Sequence, residues 1–279
     1  MAPAGLIIFA IVIVAWGIGM VYESAVLSHV GCGRKNNEDN YYLNGIYRED
    51  VNKDITGFSE LQARQKILAG IFDGAGGADY GEKASLLAAH SLSGYQEGFS
   101  LETLQGRYLP LVNHMIHNEM DKNTCTMGTT MALLHLDNDN ANVYNIGDSR
   151  VYLIRDSRLL QITYDHVNMA MRGGCSNNNM ANTDKSCCKN MLVKYLGMKD
   201  EKELKPYYKE NISVQAGDVF MVCSDGLYNM LSEDEIVQKI EKLKKEPSDA
   251  ITKELVGDAL LAGGKDNITC IIIKTVEFE

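Results

Sequence analysis

Gly70-Ile71-Phe72-Asp73-Gly74-Ala75-Gly76-Gly77 carries one aspartate out of an apolar run and into a glycine-rich turn. An apolar run of this length bounded by glycines reads as a buried strand, which places the Asp73 carboxylate at a strand end on the rim of a sheet. Three other segments bring an aspartate to the end of an apolar run: Asn145-Ile146-Gly147-Asp148, Val222-Cys223-Ser224-Asp225-Gly226 and Gly264-Lys265-Asp266-Asn267-Ile268-Thr269. A fifth, Arg34-Lys35-Asn36-Asn37-Glu38-Asp39, sets a pair of acids beginning four residues after an arginine. Any one Asp-Gly pair is more often a structural turn than a ligand. Taken as an ordered set, the odds reverse.

The chain around these segments is that of an ordinary globular protein: 279 residues, 45% hydrophobic and 23% charged, enough for one catalytic-sized domain with a sizeable core. A formal net charge of −10 argues against a duplex nucleic-acid partner, because binding phosphate backbones takes clustered Lys and Arg. Seven cysteines, with no Cys-x-x-Cys spacing and several in strand-like runs, read as reduced thiols of a cytosolic domain.

Residues 1–22 hold no charged side chain until Glu23, and Leu6 to Val21 (LIIFAIVIVAWGIGMV) is almost wholly apolar. As a helix residues 1–22 span roughly 33 Å, enough for the apolar depth of a bilayer. The leading expectation is a transmembrane anchor over residues 1–23, ahead of a secretory signal, which normally begins with basic residues, and a buried core helix, which rarely runs so long without a polar face. Arg34 and Lys35, the first basic residues, follow it, so the charge rule sets residues 24–279 in the cytoplasm as the catalytic domain of a single-pass protein.

In chain order, Ser24 to Val30 and Asn40 to Ile46 read as strands, Asp79 to Ser93 as a helix, and the stripe from Leu101 to Met115 as a second helix kinked or started by Pro110. From Gly128 the period becomes two. Met131 to Leu136, Ala141 to Ile146, Val151 to Arg155 and Leu159 to Thr163 read as an antiparallel meander whose turns include Asp148-Ser149-Arg150 and Asp156-Ser157-Arg158. Residues 167–190 show no period and read as a mobile surface insertion. Ile212 to Val214, Val219 to Cys223 and Cys270 to Lys274 read as strands; Glu233 to Lys244 is an amphipathic helix, and Ser248 caps another that stops at Gly263-Gly264. Strands interleaved with two helix pairs make a layered α/β (α+β) arrangement on antiparallel sheets.

Chemistry follows from the carboxylates. Two of them about 4 Å apart repel by roughly 4 kcal/mol at an effective dielectric near 20, so four or five converging acids need a compensating charge. Oxygen ligands without His or Cys select Mg²⁺ or Mn²⁺ over zinc, and two such ions sharing a water acidify it for in-line attack. The Gly74 carbonyl is open to approach, and an arginine beside the acids is a natural fork for phosphate.

Arg34-x-x-x-Glu38-Asp39, Asp73-Gly74-x-Gly76-Gly77, Gly128-Thr129-Thr130, Gly147-Asp148-Ser149-Arg150, Ser224-Asp225-Gly226-Leu227 and Asp266-Asn267-Ile268-Thr269 occur in the order and rough spacing of the metal-dependent protein phosphatase 2C family, which the chain resembles from about Ser24 to Glu279, especially its bacterial serine/threonine members. The resemblance implies a central sandwich of two antiparallel sheets flanked by antiparallel helix pairs, and hydrolysis of phosphoserine and phosphothreonine in proteins by a hydroxide bridging two Mn²⁺ or Mg²⁺ ions. It further implies that Asp73, Asp225 and Asp266 serve one ion and Glu38, Asp73 and the Gly74 carbonyl the other. Asp39 resembles a supporting acid behind these ligands, Asp148 a ligand of a weaker third ion, Arg34 the phosphate clamp, and residues 167–190 the flap of bacterial members. Phosphoproteins made by a serine/threonine kinase are the implied substrates, and a monomer is expected.

Two departures stand out. Ala75 replaces a histidine thought to protonate the leaving group in many eukaryotic members, which shifts that work to water. Asn229, four residues after Asp225, stands where an aspartate is common, and an amide oxygen is the weaker ligand for a third ion. His29, His90, His114, His117 and His135 have no ligand spacing and read as packing or surface residues; His166 is a candidate for the edge of the site. Tyr164 and Tyr228 read as packing residues, and Lys242 to Lys245 as a solvated helix face. The Cys-x5-Arg thiol-phosphatase signature and the G-x4-G-K-[ST] loop are absent. The alternative is a catalytically weak phosphatase-like domain that binds phosphoproteins as a signalling module; retention of all the matching acids argues against it.

Overall fold

The computed structural model describes residues 20–50, 62–64, 66–75, 80–95, 98–171 and 188–276. Twelve strands form two six-stranded antiparallel sheets. The first runs, in spatial order, Arg158–Gln161, Arg150–Arg155, Val219–Cys223, Ile268–Val276, Val21–His29 and Gln62–Arg64. The second runs Tyr207–Ser213, Asn140–Ile146, Met131–Asp137, Lys66–Phe72, Asn40–Leu43 and Ile46–Tyr47.

The inner strands of both sheets bury both faces, which explains their near-continuous apolar runs. In the Val219–Cys223 strand, Phe220 and Val222 join Val26, Ile71, Leu134, Val143 and Ile271 in the layer between the sheets. Their neighbours Val219, Met221 and Cys223 face outward onto Ile236 and Ile240 of helix Glu233–Lys242 and Ile251 and Leu255 of helix Ser248–Leu261. On the other side, Tyr42, Leu68, Leu133 and Tyr144 of the second sheet pack on Ala84, Ala88 and Leu92 of helix Gly81–Leu92 and on Val112 and Ile116 of helix Leu109–Asn123. The result is four layers, helices outside and sheets inside, as the resemblance implied.

Pro110 stands in the first turn of its helix, where its missing N–H costs nothing, so it starts the helix; a π-helical segment Leu104–Tyr108 leads into it. Ser232 and Glu235 close a reciprocal capping box on helix Glu233–Lys242.

Several expectations are corrected. The meander is broken: Asn140–Ile146 pairs with Met131–Asp137 in the second sheet, whereas Arg150–Arg155 pairs with Val219–Cys223 in the first, so Gly147-Asp148-Ser149 crosses between sheets and is no hairpin. Asp156-Ser157 is the true hairpin, with φ of 51° and 57°, the left-handed pair that a tight two-residue turn needs. Ser248 does not cap its helix; it is the first helical residue, and its Oγ donates to Glu23 Oε1 at 2.8 Å, tying the helix to the first sheet. Strand Val21–His29 begins before Ser24, with Val21, Tyr22 and Glu23 opposite Val276, Thr275 and Lys274, so residues 21–23 belong to the folded domain and not to the expected anchor. The rest of that anchor, residues 1–19, lies outside the described residues, and no described helix is long and apolar enough to cross a membrane. Within 167–190, Val167–Met171 pairs antiparallel with Cys188–Leu192 as the two legs of a ribbon; the span between them lies outside the described residues.

Candidate active site

Strand register gathers the acids. In the second sheet Asn40 lies opposite Phe72, Ile71 opposite Ala132, and Met131 opposite Ile146, so Glu38-Asp39, Asp73, Thr130 and Gly147-Asp148 all leave the same edge. In the first sheet Arg150 lies opposite Cys223, Cys223 opposite Cys270, and His29 opposite Ile268, which brings Ser149, Ser224-Asp225 and Asp266-Asn267 to one edge as well.

Hydrogen bonds between the sheets lock the two edges together. Asp39, at the start of a second-sheet strand, accepts from Ser224 Oγ and Thr269 Oγ1 of the first sheet, each at 2.7 Å, through Oδ2. Thr130 Oγ1 and Ser149 Oγ are 2.6 Å apart, while Thr130 Oγ1 accepts from Asp73 N at 2.9 Å and Thr130 N donates to Asp73 O at 2.9 Å. Asn267 ties the acidic turns: its Oδ1 accepts from Glu38 N at 2.8 Å and its Nδ2 donates to Val30 O and Asn36 O. Gly74 N donates to Glu38 O at 3.2 Å, and a Cβ on Gly74 would lie 2.3 Å from Gly81 O, so only glycine fits this turn.

The acids feel one another. Burial, followed by repulsion from Asp39, Asp225, Asp148 and Asp266, pushes Asp73 well above the usual carboxylate range. Burial and then Asp148, Asp266 and Asp39 push Asp225 up to about 7. Asp148 rises to about 6 through burial and then Asp165, and Asp39 rises to about 6 through burial, against the hydroxyl bonds of Thr269 and Ser224. Glu38 is raised by burial, opposed by Arg34. Arg34 presents an exposed guanidinium among them: its Nη2 donates to Asp266 Oδ2 at 2.7 Å.

All the residues singled out from the sequence, Arg34, Glu38, Asp39, Asp73, Gly74, Asp148, Asp225 and Asp266, therefore stand on one rim. Among the described residues, however, no three Asp, Glu, His or Cys side chains already converge as a ready metal cage. Three of the acids are engaged by other groups: Asp266 by Arg34, Asp39 by two buried hydroxyls, Asp225 by Asn229 Nδ2 at 3.1 Å. The donor set nonetheless fits hard divalent cations, being all oxygen and in excess negative charge. Asp39 Oδ1 is buried without a hydrogen-bond partner.

Other residues take roles that the sequence reading did not assign. Arg150 grips Asp165 through Nε and Nη2, the latter at 2.6 Å from Oδ2, and lies 3.6 Å over the Tyr228 ring, whose hydroxyl donates to Asp148 O. Tyr228 is thus the packing residue expected, and the pair holds the crossing in place. His166 is a support for the turn: its Nδ1 accepts from Gly147 N and its own N–H donates to Gly147 O, with burial pulling its pKa below the usual imidazole value. Ser224 and Thr269 sit within quoted motifs, and a hydroxyl beside each strand-end acid was the available signal. Asp165 gave none, since its partner lies fifteen residues away.

Four layers with acids from both sheets on one rim, and an exposed arginine beside them, are the layout expected of a phosphoester hydrolase of the layered α/β kind. Residues 44–260 match the family profile described as protein phosphatase 2C. The chain is 32% identical over 266 residues to protein phosphatase PhpP of Streptococcus pneumoniae, covering 91% of this chain and 98% of the relative. It is 32% identical over 240 residues to serine/threonine phosphatase stp of Listeria welshimeri, covering 80% and 90%. Its fold superposes on the catalytic domain of serine/threonine protein phosphatase PstP, solved with two manganese ions, with a TM-score of 0.67 at 25% identity, covering 92% of this chain and all of that one. The S. agalactiae serine/threonine phosphatase shares the fold with a TM-score of 0.70 at 22% identity, covering 91% of this chain and all of that one. The chain belongs to the protein phosphatase 2C family and is a protein serine/threonine phosphatase.

Proposed function

We propose that this phosphatase is metal-dependent and uses two divalent ions, Mn²⁺ or Mg²⁺, to hydrolyse phosphoserine and phosphothreonine in proteins. The observation that carries this reading is the strand register that brings Asp73 and Asp148 of one sheet and Asp225 and Asp266 of the other to one rim, where burial and then the neighbouring acids raise Asp73 and Asp225. PstP, whose structure this chain matches, holds two manganese ions.

Asp73, Asp225 and Asp266 would hold one ion; Glu38, Asp73 and the Gly74 carbonyl the other; Asp148 a third, weaker one. When bound, the ions supply positive charge for the phosphate oxygens and acidify water for attack. The chain's own residues do the rest. Arg34 presents its fork at the rim, where it can exchange the Asp266 carboxylate for two phosphate oxygens. Asp39, held by Ser224 and Thr269, keeps the Glu38 turn against the Asp225 and Asp266 edge. The crossing braced by Arg150, Asp165 and His166 sets Asp148 beside them. Ala75 carries no acid, so the leaving serine or threonine takes its proton from water.

We further propose that the apolar segment before Val21 anchors the enzyme as a single-pass membrane protein with its catalytic domain, a monomer, in the cytoplasm beside phosphoproteins made by a serine/threonine kinase, and that the segment 167–190 acts as a flap beside the site. Extraction by alkaline carbonate would refute the anchor. For the reaction, phosphate release from a phosphothreonine peptide should depend on Mn²⁺ and fall at least about a hundredfold in Asp73→Asn and Asp225→Asn. Equal activity of parent and variants would reject the assigned site.

A further inference from the structure

Tyr164 has an exposed ring on a fixed backbone. It immediately precedes Asp165 and His166, the residues that brace the Gly147-Asp148 crossing. Yet the residue is 64% exposed, which overturns its reading as a packing residue. Its backbone is clamped by the buried Asn145, whose Oδ1 accepts from Tyr164 N at 3.2 Å and whose Nδ2 donates to Tyr164 O at 2.7 Å. The same Asn145 lies two residues before Gly147 in the strand that ends at the site. The Tyr164 ring stands 6.1 Å from that of Tyr207 at a tilt of 34°, and 5.9 Å from the His166 ring, edge to face. Tyr207 opens the strand Tyr207–Ser213 at the edge of the second sheet, opposite Asn145. Exposed apolar residues scattered singly are ordinary. A paired ring mounted by a buried amide beside a catalytic edge is a different object, because a rigid aromatic loses little freedom when something docks on it.

We propose that Tyr164 and Tyr207 form a platform for an apolar side chain of the phosphoprotein substrate, a few residues from the phosphorylated serine or threonine. This rests on the reading of the acidic rim as the site of phosphate hydrolysis. The occupant follows from the activity: a phosphoresidue at the rim carries polypeptide on both sides. An extended chain advances about 3.3–3.6 Å per residue, so its flanking side chains must lie on the surfaces that border the rim. Tyr164 borders it through Asn145 and His166. Lys194, whose charge reaches His166, disfavours a basic side chain there, whereas the ring faces suit an aliphatic one.

The test uses the full chain with Mn²⁺ and a set of phosphothreonine peptides that differ by a leucine or an alanine at one position flanking the phosphoresidue. At one position the parent should prefer leucine by about tenfold in kcat/KM, mostly through KM. Tyr164→Ala should erase that preference and Tyr164→Phe should keep it. A parent with no preference at any position, or a preference that survives Tyr164→Ala, overturns the platform, as does a shift of Tyr164→Ala from dimer to monomer in sedimentation, which would make the rings a contact between copies. A parent inert toward every peptide refutes the hydrolase reading itself, and the platform with it.

Discussion

Replacing Asp225 by asparagine should stabilise the metal-free protein near neutral pH, although it destroys the site. The Asp225 carboxyl is pushed from 3.8 up to about 7, by burial first and then by Asp148, Asp266 and Asp39. A raised acid means that, between its ordinary value and about 7, the folded chain holds a proton that the unfolded chain has released. Stability therefore falls as pH rises through that window, and the loss is complete above it. At about 1.4 kcal/mol per pH unit the ceiling is roughly 4 kcal/mol. The same repulsion is shared among several acids, so about 2 kcal/mol is the reasonable expectation for removing one. Asparagine preserves the shape and an oxygen that can still accept from Asn229 Nδ2. In chelator at about pH 7.5, Asp225→Asn should melt about 4–8 °C above the parent, with the gap narrowing toward about pH 5, where the parent's carboxyl is protonated when folded. Added Mn²⁺ should reverse the order by raising the melting temperature of the parent alone. A variant that melts below the parent in chelator near neutral pH would refute the argument, since its acid would then be part of what holds the fold.

Arg34→Ala removes the fork but also frees Asp266, so kcat/KM toward a phosphothreonine peptide should fall about a hundredfold while the calorimetric affinity for Mn²⁺ holds or rises; a matching loss of metal affinity would show that Arg34 supports the cation site. Gly226→Ala would place a Cβ 1.9 Å from the Asn267 carbonyl oxygen, which neither backbone can relieve, so its chemical-denaturation midpoint should report a loss of about 2–3 kcal/mol; a loss below about 0.5 kcal/mol would show that the turn yields. Asp165→Asn leaves a mostly buried Arg150 without its carboxylate and should cost about 3 kcal/mol, whereas the double variant Arg150→Met with Asp165→Asn should recover part of it; a fully additive pair would deny the coupling.

Asp73, Asp148 and Asp225 were legible because each closes an apolar run, which marks a strand end whatever sheet the strand joins; Glu38, Asp39 and Asp266 were legible through the order of their motifs. Sheet membership was not legible, because strands such as Val219–Cys223 bury both faces and show no polar side from which to read a partner. That is why Asn140–Ile146 and Arg150–Arg155 looked like neighbours in one meander when Gly147-Asp148-Ser149 carries the chain from one sheet to the other. Short polar links also misled. Ser248 has the chemistry of a cap, but its hydroxyl is claimed by Glu23, a residue far away in sequence. The strand at Val21 was hidden for a related reason: Val21 and Tyr22 continue an apolar stretch whose length suits a membrane span, and only pairing with Thr275 and Val276 separates them from it.

The division of the acids between sheets has a consequence for assembly. Glu38, Asp39, Asp73 and Asp148 leave strands of the second sheet, whereas Asp225 and Asp266 flank strands of the first, so neither sheet alone can present a complete site. Asp39 marks the junction most clearly, since both of its hydroxyl partners belong to the opposite sheet. On the proposed two-ion reading, cations that need acids from both sheets would bind only after the sandwich has closed, and their binding free energy would add to the stability of the closed form alone. On that reading, the repulsion that weakens the metal-free rim would be the source of its affinity. A site built of neutral donors would fold more readily without metal and would have less reason to hold it.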